Sequence, residues 1–470
     1  MATYKTPGVY MEDVPQIVLS IADVETAIPA FIGYTQITNK QGSVIKPVRI
    51  VSMLEYTALY GTTSLVGINV TIEDTVVNSV VTNRTTSSDV PVKPKHTMYY
   101  HMQMYFANGG GPCYIVSIGQ EGGSTGYADF QAGLTAIAGE DEPTLLLFPE
   151  GVSVLGASDL YNLYDDALKQ CADLKDRFVI MDCHGDSAAT LRDAGTGIGN
   201  NNLKYGAAYH PYLNTALNYN YTDDTVAITH RYIDIDGNLI DTDTYPLSNI
   251  PPYILGTVLI DKDNVKQIAK QAANAFRIQL NPSPAIAGVY VATDNGRGVW
   301  KAPANVSLSS VNGLSQLISE GEQSGLNVDA NGGKSVNALR AFPGKGLMVW
   351  GARTLAGNDG EWRYVPVRRF FNLIEESIKK SIESFVFEAN DSGTWVKIKS
   401  LVTNYLRRLW KSGAMKGTTE NEAFYVAVGL GETMNAQDVL EGRLIVEIGV
   451  AAVRPAEFIV VRFNHTMAES

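Results

Sequence analysis

Residues 97–119, TMYYHMQMYFANGGGPCYIVSIG, pass from a helical apolar period through a glycine stop into the short apolar run CYIVSI. Glycine ends helices, and an apolar run of that length between turn signals reads as a buried strand, so the stretch predicts a helix-to-strand unit. SDLYNLYDDALKQCADLKD followed by RFVIMD predicts a second one, and AFIGYT at 30–35 a short buried strand opening a folded region. Units of this kind restrict the chain to an α/β (mixed α+β) fold. Further along, NVKQIAKQAANAFRI predicts a helix and AGVYVATD at 287–294 a strand.

Two stretches interrupt the pattern. Residues 62–98 are rich in Val and Thr and end among prolines, as a β insertion would. Residues 213–256 contain HRYIDIDGNLIDTDTY, whose alternating runs flank Asp236-Gly237-Asn238 and predict a hairpin in a second β insertion. Pro7, Gly8, Pro15 and Pro29 keep residues 1–30 out of helix and favour an extended arm. At the other end, Phe370, Phe371, Ile374, Ile378, Ile382 and Phe385 hold helical spacing, with Glu375/Lys379 and Glu376/Lys380 at i,i+4. A second helix from about Trp395 to Lys411 follows, then the strand-like runs AFYVAV, RLIVEIGV and EFIVVRF. A chain of 470 residues has room for two or three domains.

The net charge of -12 argues against non-specific nucleic-acid binding. The start carries no apolar h-region and no stretch reaches the 18 or so apolar residues of a membrane span, which places the chain in the cytosol where it is made. Cys113, Cys171 and Cys183 have neither CxxC spacing nor a His at metal-site distance, so neither a disulfide framework nor a zinc site is expected.

Several motifs approach chemistry without reaching it. VDANGGKS at 328–335 resembles a phosphate loop but has Val328 where the first Gly belongs, and GTGIGN at 195–200 lacks dinucleotide-loop spacing. Asp234, Asp236, Asn238, Asp241 and Asp243 gather oxygen ligands, but an Asp-Gly hairpin explains them without calcium. MDCHGDS at 181–187 brings Cys183 and His184 to the end of a strand, where α/β enzymes keep catalytic groups. As sequence neighbours on extended backbone the two point to opposite faces, which disfavours thiol activation. No catalytic, cofactor or metal site is expected, and an α/β enzyme, hydrolase or nucleotide-binding, using the Cys183/His184 loop is the alternative reading.

One constellation is unusual for an acidic chain. Between Ser392 and Thr419 there are six basic residues and no acidic one. On a helix over 395–411, Lys397, Ser400, Asn404, Arg407, Arg408 and Lys411 share an arc about 100° wide, opposite Trp395, Ile398, Leu401, Val402, Tyr405, Leu409 and Trp410. Lys399 falls on the apolar side and would have to snorkel. A single-sign stripe is either a solvated face or a docking surface for an acidic partner, nucleic acid or protein. A second concentration, VWGARTL at 349–355 and EWRYVPVRRFF at 361–371, gathers Trp and Arg with no catalytic motif nearby.

Taken in order, YKTPGVYMEDV, NGGGPCYIVSI, GRGVWKAPAN, SVNALRAFPGKGLMVWGARTL, EWRYVPVRRFFNLIEESI, FVFEANDSGTW, LRRLWKSGAMKG and PAEFIVVRF resemble the tail sheath proteins of contractile phages and phage-derived injection systems. The resemblance implies a structural, non-enzymatic subunit that polymerises as stacked sixfold rings around an inner tube and contracts to drive the tube through a target envelope. It implies an inner domain built from both termini, residues 1–35 with 340–470, and an outer α/β region over 36–339 that carries the two insertions. Neighbouring subunits would exchange arms through Tyr4, Pro7, Gly8, Val9, Tyr10, Phe458, Ile459, Val460, Val461 and Phe463. Trp350, Arg353, Trp362, Arg363, Arg368 and Arg369 would lie where subunits meet, and the basic stripe would face the tube. The implied partners are further copies of the chain, a tube protein and baseplate and cap or terminator proteins, with no nucleic acid and no direct membrane insertion. Assembly would take place in the bacterial cytoplasm, within a particle that is later released.

Overall fold

Apolar runs too short for helices are gathered into one sheet. The computed structural model describes residues 20–458 except 43, 79, 91, 255–257 and 260. Its nine-stranded sheet has the order Val306–Ser307, Gly346–Val349, Val336–Phe342, Gly206–His210, Phe178–Asp182, Leu145–Leu147, Pro29–Thr35, Cys113–Gln120, Val48–Ile50. The strands from Val336–Phe342 to Cys113–Gln120 run parallel, and those outside them pair antiparallel. A parallel sheet is covered on both faces, which is why Pro29–Thr35 and Phe178–Asp182 are buried at every position. Tyr100, Met104, Tyr105, Ile286 and Tyr290 pack on one face, and Phe130, Leu160, Tyr164, Leu168 and Cys171 on the other.

The helix-to-strand units and AFIGYT form as expected. AGVYVATD does not: it lies inside the helix Ser283–Arg297. Residues 283–291 are all buried, so the polar face that would betray a helical period is missing. Gly288 has its own reason, since a Cβ there would come 2.6 Å from the Tyr105 carbonyl oxygen of the helix Met98–Ala107.

Both insertions are β, and they meet. Ile68–Val77 and Val80–Asp89 come from the first, Val226–Ile233 and Leu239–Pro246 from the second, and they join in one sheet through the parallel pairing of Ile68–Val77 with Val226–Ile233. Ile68, Val70, Ile72, Val226, Ile228 and Tyr232 bury one face with Val265 and Ala269 of the helix Lys262–Ala273. A buried polar chain crosses this sheet. Arg84 donates from Nε and Nη2 to the Asp74 carboxylate at 2.6 Å each; His230 lies 2.8 Å from Asp74 through Nε2 and 2.8 Å from the Tyr245 hydroxyl through Nδ1.

Burial opposes ionisation of Asp74, but its bonds to Arg84 and His230 outweigh that and hold the carboxyl below its ordinary 3.8. A carboxyl depressed in the folded state contributes stability above its unfolded value and loses it as pH falls through the folded one. Acid titration of thermal unfolding should therefore show stability lost below a pH of about 4. Asp74→Asn should lower stability at neutral pH by about 3 kcal/mol and flatten that acid limb; an unchanged limb would show that Asp74 is not its source.

The described residues separate into two compact units, 20–24 with 374–453 and 25–373 with 454–458. The divisions fall at 24/25 and 373/374, whereas the sequence suggested 35/36 and 339/340, because Pro29–Thr35 and Val336–Phe342 are strands of the large sheet. In the first unit the helix Ser392–Lys411 packs beside the antiparallel pair Phe424–Ala427 and Glu447–Val450. Asp391 caps that helix by accepting from the Thr394 amide at 3.0 Å. Glu376 lies 3.5 Å from Lys380, the expected i,i+4 pair, and 3.3 Å from Lys379.

Candidate functional site

The Arg- and Trp-rich segment is largely internal. Arg369 donates to both oxygens of Asp294 at 2.6 and 3.1 Å and to the Thr26 carbonyl at 2.9 Å, with its guanidinium over the Tyr290 ring. Arg353 donates from Nε and Nη2 to Glu457 at 2.9 and 2.6 Å, and Nη1 donates to the Asn327 carbonyl. Arg368 stacks on Trp362 and Tyr205 with its guanidinium carbon 4.4 and 5.0 Å from the ring centres. These three side chains are 2–3% exposed within the single chain, where they are held by its own carboxylates, carbonyls and rings. Trp350, Trp362 and Arg363 are half-buried, with Trp350 against Phe342 and Arg363 donating to the Gly357 carbonyl.

The basic face of the helix Ser392–Lys411 is present. Ile398, Leu401, Val402, Tyr405 and Leu409 are buried with Leu406, while Lys397, Ser400, Asn404, Arg408 and Lys411 are exposed and Arg407 is half-buried. Trp395 and Trp410 are only half-buried; their indole N–H groups donate to the Asn390 side chain at 2.7 Å and the Gly417 carbonyl at 3.1 Å. The local excess of positive charge is partly answered from elsewhere in the unit. Arg407 holds Glu420 with bonds of 2.8 and 2.9 Å, Arg408 holds Asp23 at 3.0 Å and the Ile21 carbonyl at 3.2 Å, and Lys399 reaches Glu432 at 3.2 Å. Lys397 and Lys411 form no ion pair within 4 Å among the described residues. Tyr4, Pro7, Gly8, Val9, Tyr10, Ile459, Val460, Val461 and Phe463 lie outside the described residues, and Phe458, the last of them, is exposed.

The motifs that approach chemistry are occupied by structure. The Asp329 carboxylate accepts from the Asn331, Gly332 and Lys334 amides at 3.0–3.3 Å, filling the cradle a phosphate would need, and Lys334 donates to the Ile198 carbonyl. Cys183 is fully buried, which pushes its thiol well above the ordinary range, and the His184 ring lies 3.2 Å from the Leu155 carbonyl. Asp182, raised to about 7 by burial, accepts from the Ser283 amide at the start of the helix Ser283–Arg297. Asp234 accepts from the Asp236 and Asn238 amides at 2.9 and 2.8 Å, closing the hairpin loop. Among the described residues no group of acidic, His and Cys side chains forms a metal site.

Sequence reasoning missed Glu150. Ligands of doubly wound sheets bind beyond the carboxyl ends of neighbouring strands whose connections diverge, often against a helix N-terminus. Here Leu145–Leu147 and Pro29–Thr35 are such neighbours, and the fully buried Glu150 carboxylate accepts from the Tyr34, Thr97 and Met98 amides at 2.7, 2.7 and 3.1 Å. Gly33 makes room, since a Cβ there would stand 2.9 Å from a Glu150 oxygen. No motif announces Glu150; only its position one residue beyond a Phe-Pro step after a strand hints at it.

Residues 358–466 match the phage tail sheath C-terminal domain. The tail sheath protein of Vibrio phage KVP40 is 25% identical over 186 residues, 39% of this chain and 26% of that protein. The tail sheath protein of Burkholderia phage BcepMu is 30% identical over 156 residues, 31% of each. The matched segments thus span about a quarter to a third of these relatives. Over whole chains the similarity is structural as well. The sheath of the PVC extracellular contractile injection system in its contracted state is 27% identical with a TM-score of 0.64, covering 99% of this chain and 98% of that one. A chain of the anti-feeding prophage baseplate is 29% identical with a TM-score of 0.63, covering 99% and 100%. The chain thus matches a sheath domain at its C-terminus and shares its fold along its length with contractile sheath chains.

Proposed function

We propose that the chain is the structural subunit of a contractile sheath, assembling as stacked sixfold rings around an inner tube and contracting to drive that tube through a target envelope. The observation that carries this reading is the agreement of the fold, over 99% of the chain, with a contracted sheath chain. The work comes from the free-energy difference between a metastable extended lattice and a compact one, and no reaction chemistry is needed. On this reading residues 1–35 with 340–470 form the inner sheath domain and residues 36–339 the outer region. Copies of the chain, the tube and baseplate and cap proteins are the partners, assembled in the bacterial cytoplasm.

The exposed basic face, Lys397, Ser400, Asn404 and Lys411 with the partly neutralised Arg407 and Arg408, suits docking on an acidic tube. Exposed ion pairs contribute only about 0.2–1 kcal/mol each, so contraction can strip them while sixfold repetition holds the resting state. The enzyme alternative has less support, because Glu150, Asp329 and the burial of Cys183 fill or silence the places where chemistry would occur.

The test is negative-stain imaging and sedimentation of the purified chain, alone and with residues 1–20 deleted. Wild type should form long tubes with sixfold end views, and the truncated chain should stay folded without them. Discrete small oligomers of the wild type would overturn the sheath reading.

A further inference from the structure

Phe385 to Glu388 form a tight turn in which the Glu388 amide donates to the Phe385 carbonyl at 3.0 Å. Val386 has φ -64° and ψ 130°, and Phe387 has φ 71°, the geometry of a type II turn. Its third position requires the left-handed region and is normally glycine, because a Cβ is strained there. This chain places phenylalanine at that position and leaves the ring fully exposed. Val386 beside it and Val396 in the first turns of the following helix are exposed too. A bulky apolar side chain held in strain and in water disfavours the isolated chain twice over, so the turn points to a contact absent from the single chain.

We propose that Phe387 is an assembly anchor that inserts its ring into an apolar surface of a second copy of this chain, an inference that rests on the sheath reading. A basic face directed at an acidic tube offers an aromatic ring nothing to bury against. Copies of this chain do: the same unit exposes Leu430, Leu440 and Ile445. Knob and surface are different parts of one chain, so the contact is heterologous and repeats from copy to copy.

The proposal makes stability and assembly move in opposite directions. In the full-length chain Phe387→Gly should melt at or above the wild-type temperature, because glycine relieves the turn, yet raise the concentration needed for tube formation about tenfold or more through loss of the buried ring. A photo-cross-linking phenylalanine analogue at 387 should link one copy to another in assembled tubes. Tube formation by Phe387→Gly at the wild-type concentration would overturn the anchor. So would a lower melting temperature, which would mean that the ring packs in its own chain, or cross-links confined to one copy or to the tube protein. Wild type that forms no tubes would remove the sheath reading itself, a result separable from failure of the anchor because the anchor is read only against assembling wild type.

Discussion

Arg369→Met should destabilise the chain by about 3–5 kcal/mol, read as a lowered urea midpoint with an unchanged slope. Arg369 and Asp294 are each 3% exposed and meet at 2.6 Å. Methionine keeps the aliphatic stem's packing but leaves the Asp294 carboxylate, among the described residues, with only the Thr26 hydroxyl, 2.6 Å away, in a buried site. An uncompensated buried charge, not the loss of an attractive pair, accounts for most of the cost. The double variant Arg369→Met with Asp294→Leu should therefore recover to within about 1 kcal/mol of wild type. If the single and double variants are equally unstable, packing of the guanidinium against Tyr290 dominates instead. The same bonds join three parts of the chain distant in sequence: the helix Val365–Ile382, the helix Ser283–Arg297 and the segment before the first strand.

Excising one β insertion should be far more damaging than excising both. Replacing residues 66–94 alone with a short Gly/Ser linker removes Ile68, Val70 and Ile72, each worth about 1.5–3 kcal/mol on full burial. It also leaves Val226–Ile233 as an unpaired edge, strips the apolar cover from Val265 and Ala269, and deprives the buried His230 of Asp74. Such a chain should aggregate on expression. Replacing 66–94 and 222–275 together removes the small sheet with its helix and should yield a soluble chain. The two excisions start close together, since the Val66 amide donates to the Asn220 carbonyl at 2.9 Å and the Asn220 side chain to the Thr63 carbonyl at 3.0 Å. Circular dichroism and solubility measure the first outcome. Imaging of tubes from the double excision tests the outward placement, and a folded variant that forms none would show that the small sheet makes lattice contacts.

Elements with strong local signals could be read without tertiary information. Helix Ser392–Lys411 shows its amphipathic period and its basic face in the sequence; CYIVSI and RFVIMD are too short and too apolar to be anything but buried strands; Asp236-Gly237 makes a hairpin wherever alternating runs flank it. In each, the deciding interactions lie within a few residues, and side-chain periodicity records them directly. The family resemblance rests on the same footing, as a succession of segments in order.

What lay beyond the sequence depends on pairings between distant residues. Ser283–Arg297 is buried throughout its first nine residues, so its period vanished and its helical state followed from packing against Met98–Ala107. The acid-free stretch 392–419 suggested an unneutralised stripe, yet Glu420, Glu432 and Asp23 answer three of its cations, because charge pairing is set in space and not by counting along the chain. The two insertions, separated by more than a hundred residues, became one sheet only through the parallel register of Ile68–Val77 with Val226–Ile233. Arg353, Arg368 and Arg369 carry no local signal of burial and are nonetheless buried within the single chain, since burial depends on what the fold stacks over a side chain. Composition and periodicity determined the kinds of elements, and a succession of segments carried the family resemblance; the partner of each buried charge and each strand edge was decided by tertiary structure, where desolvation makes an unpaired group too costly to leave.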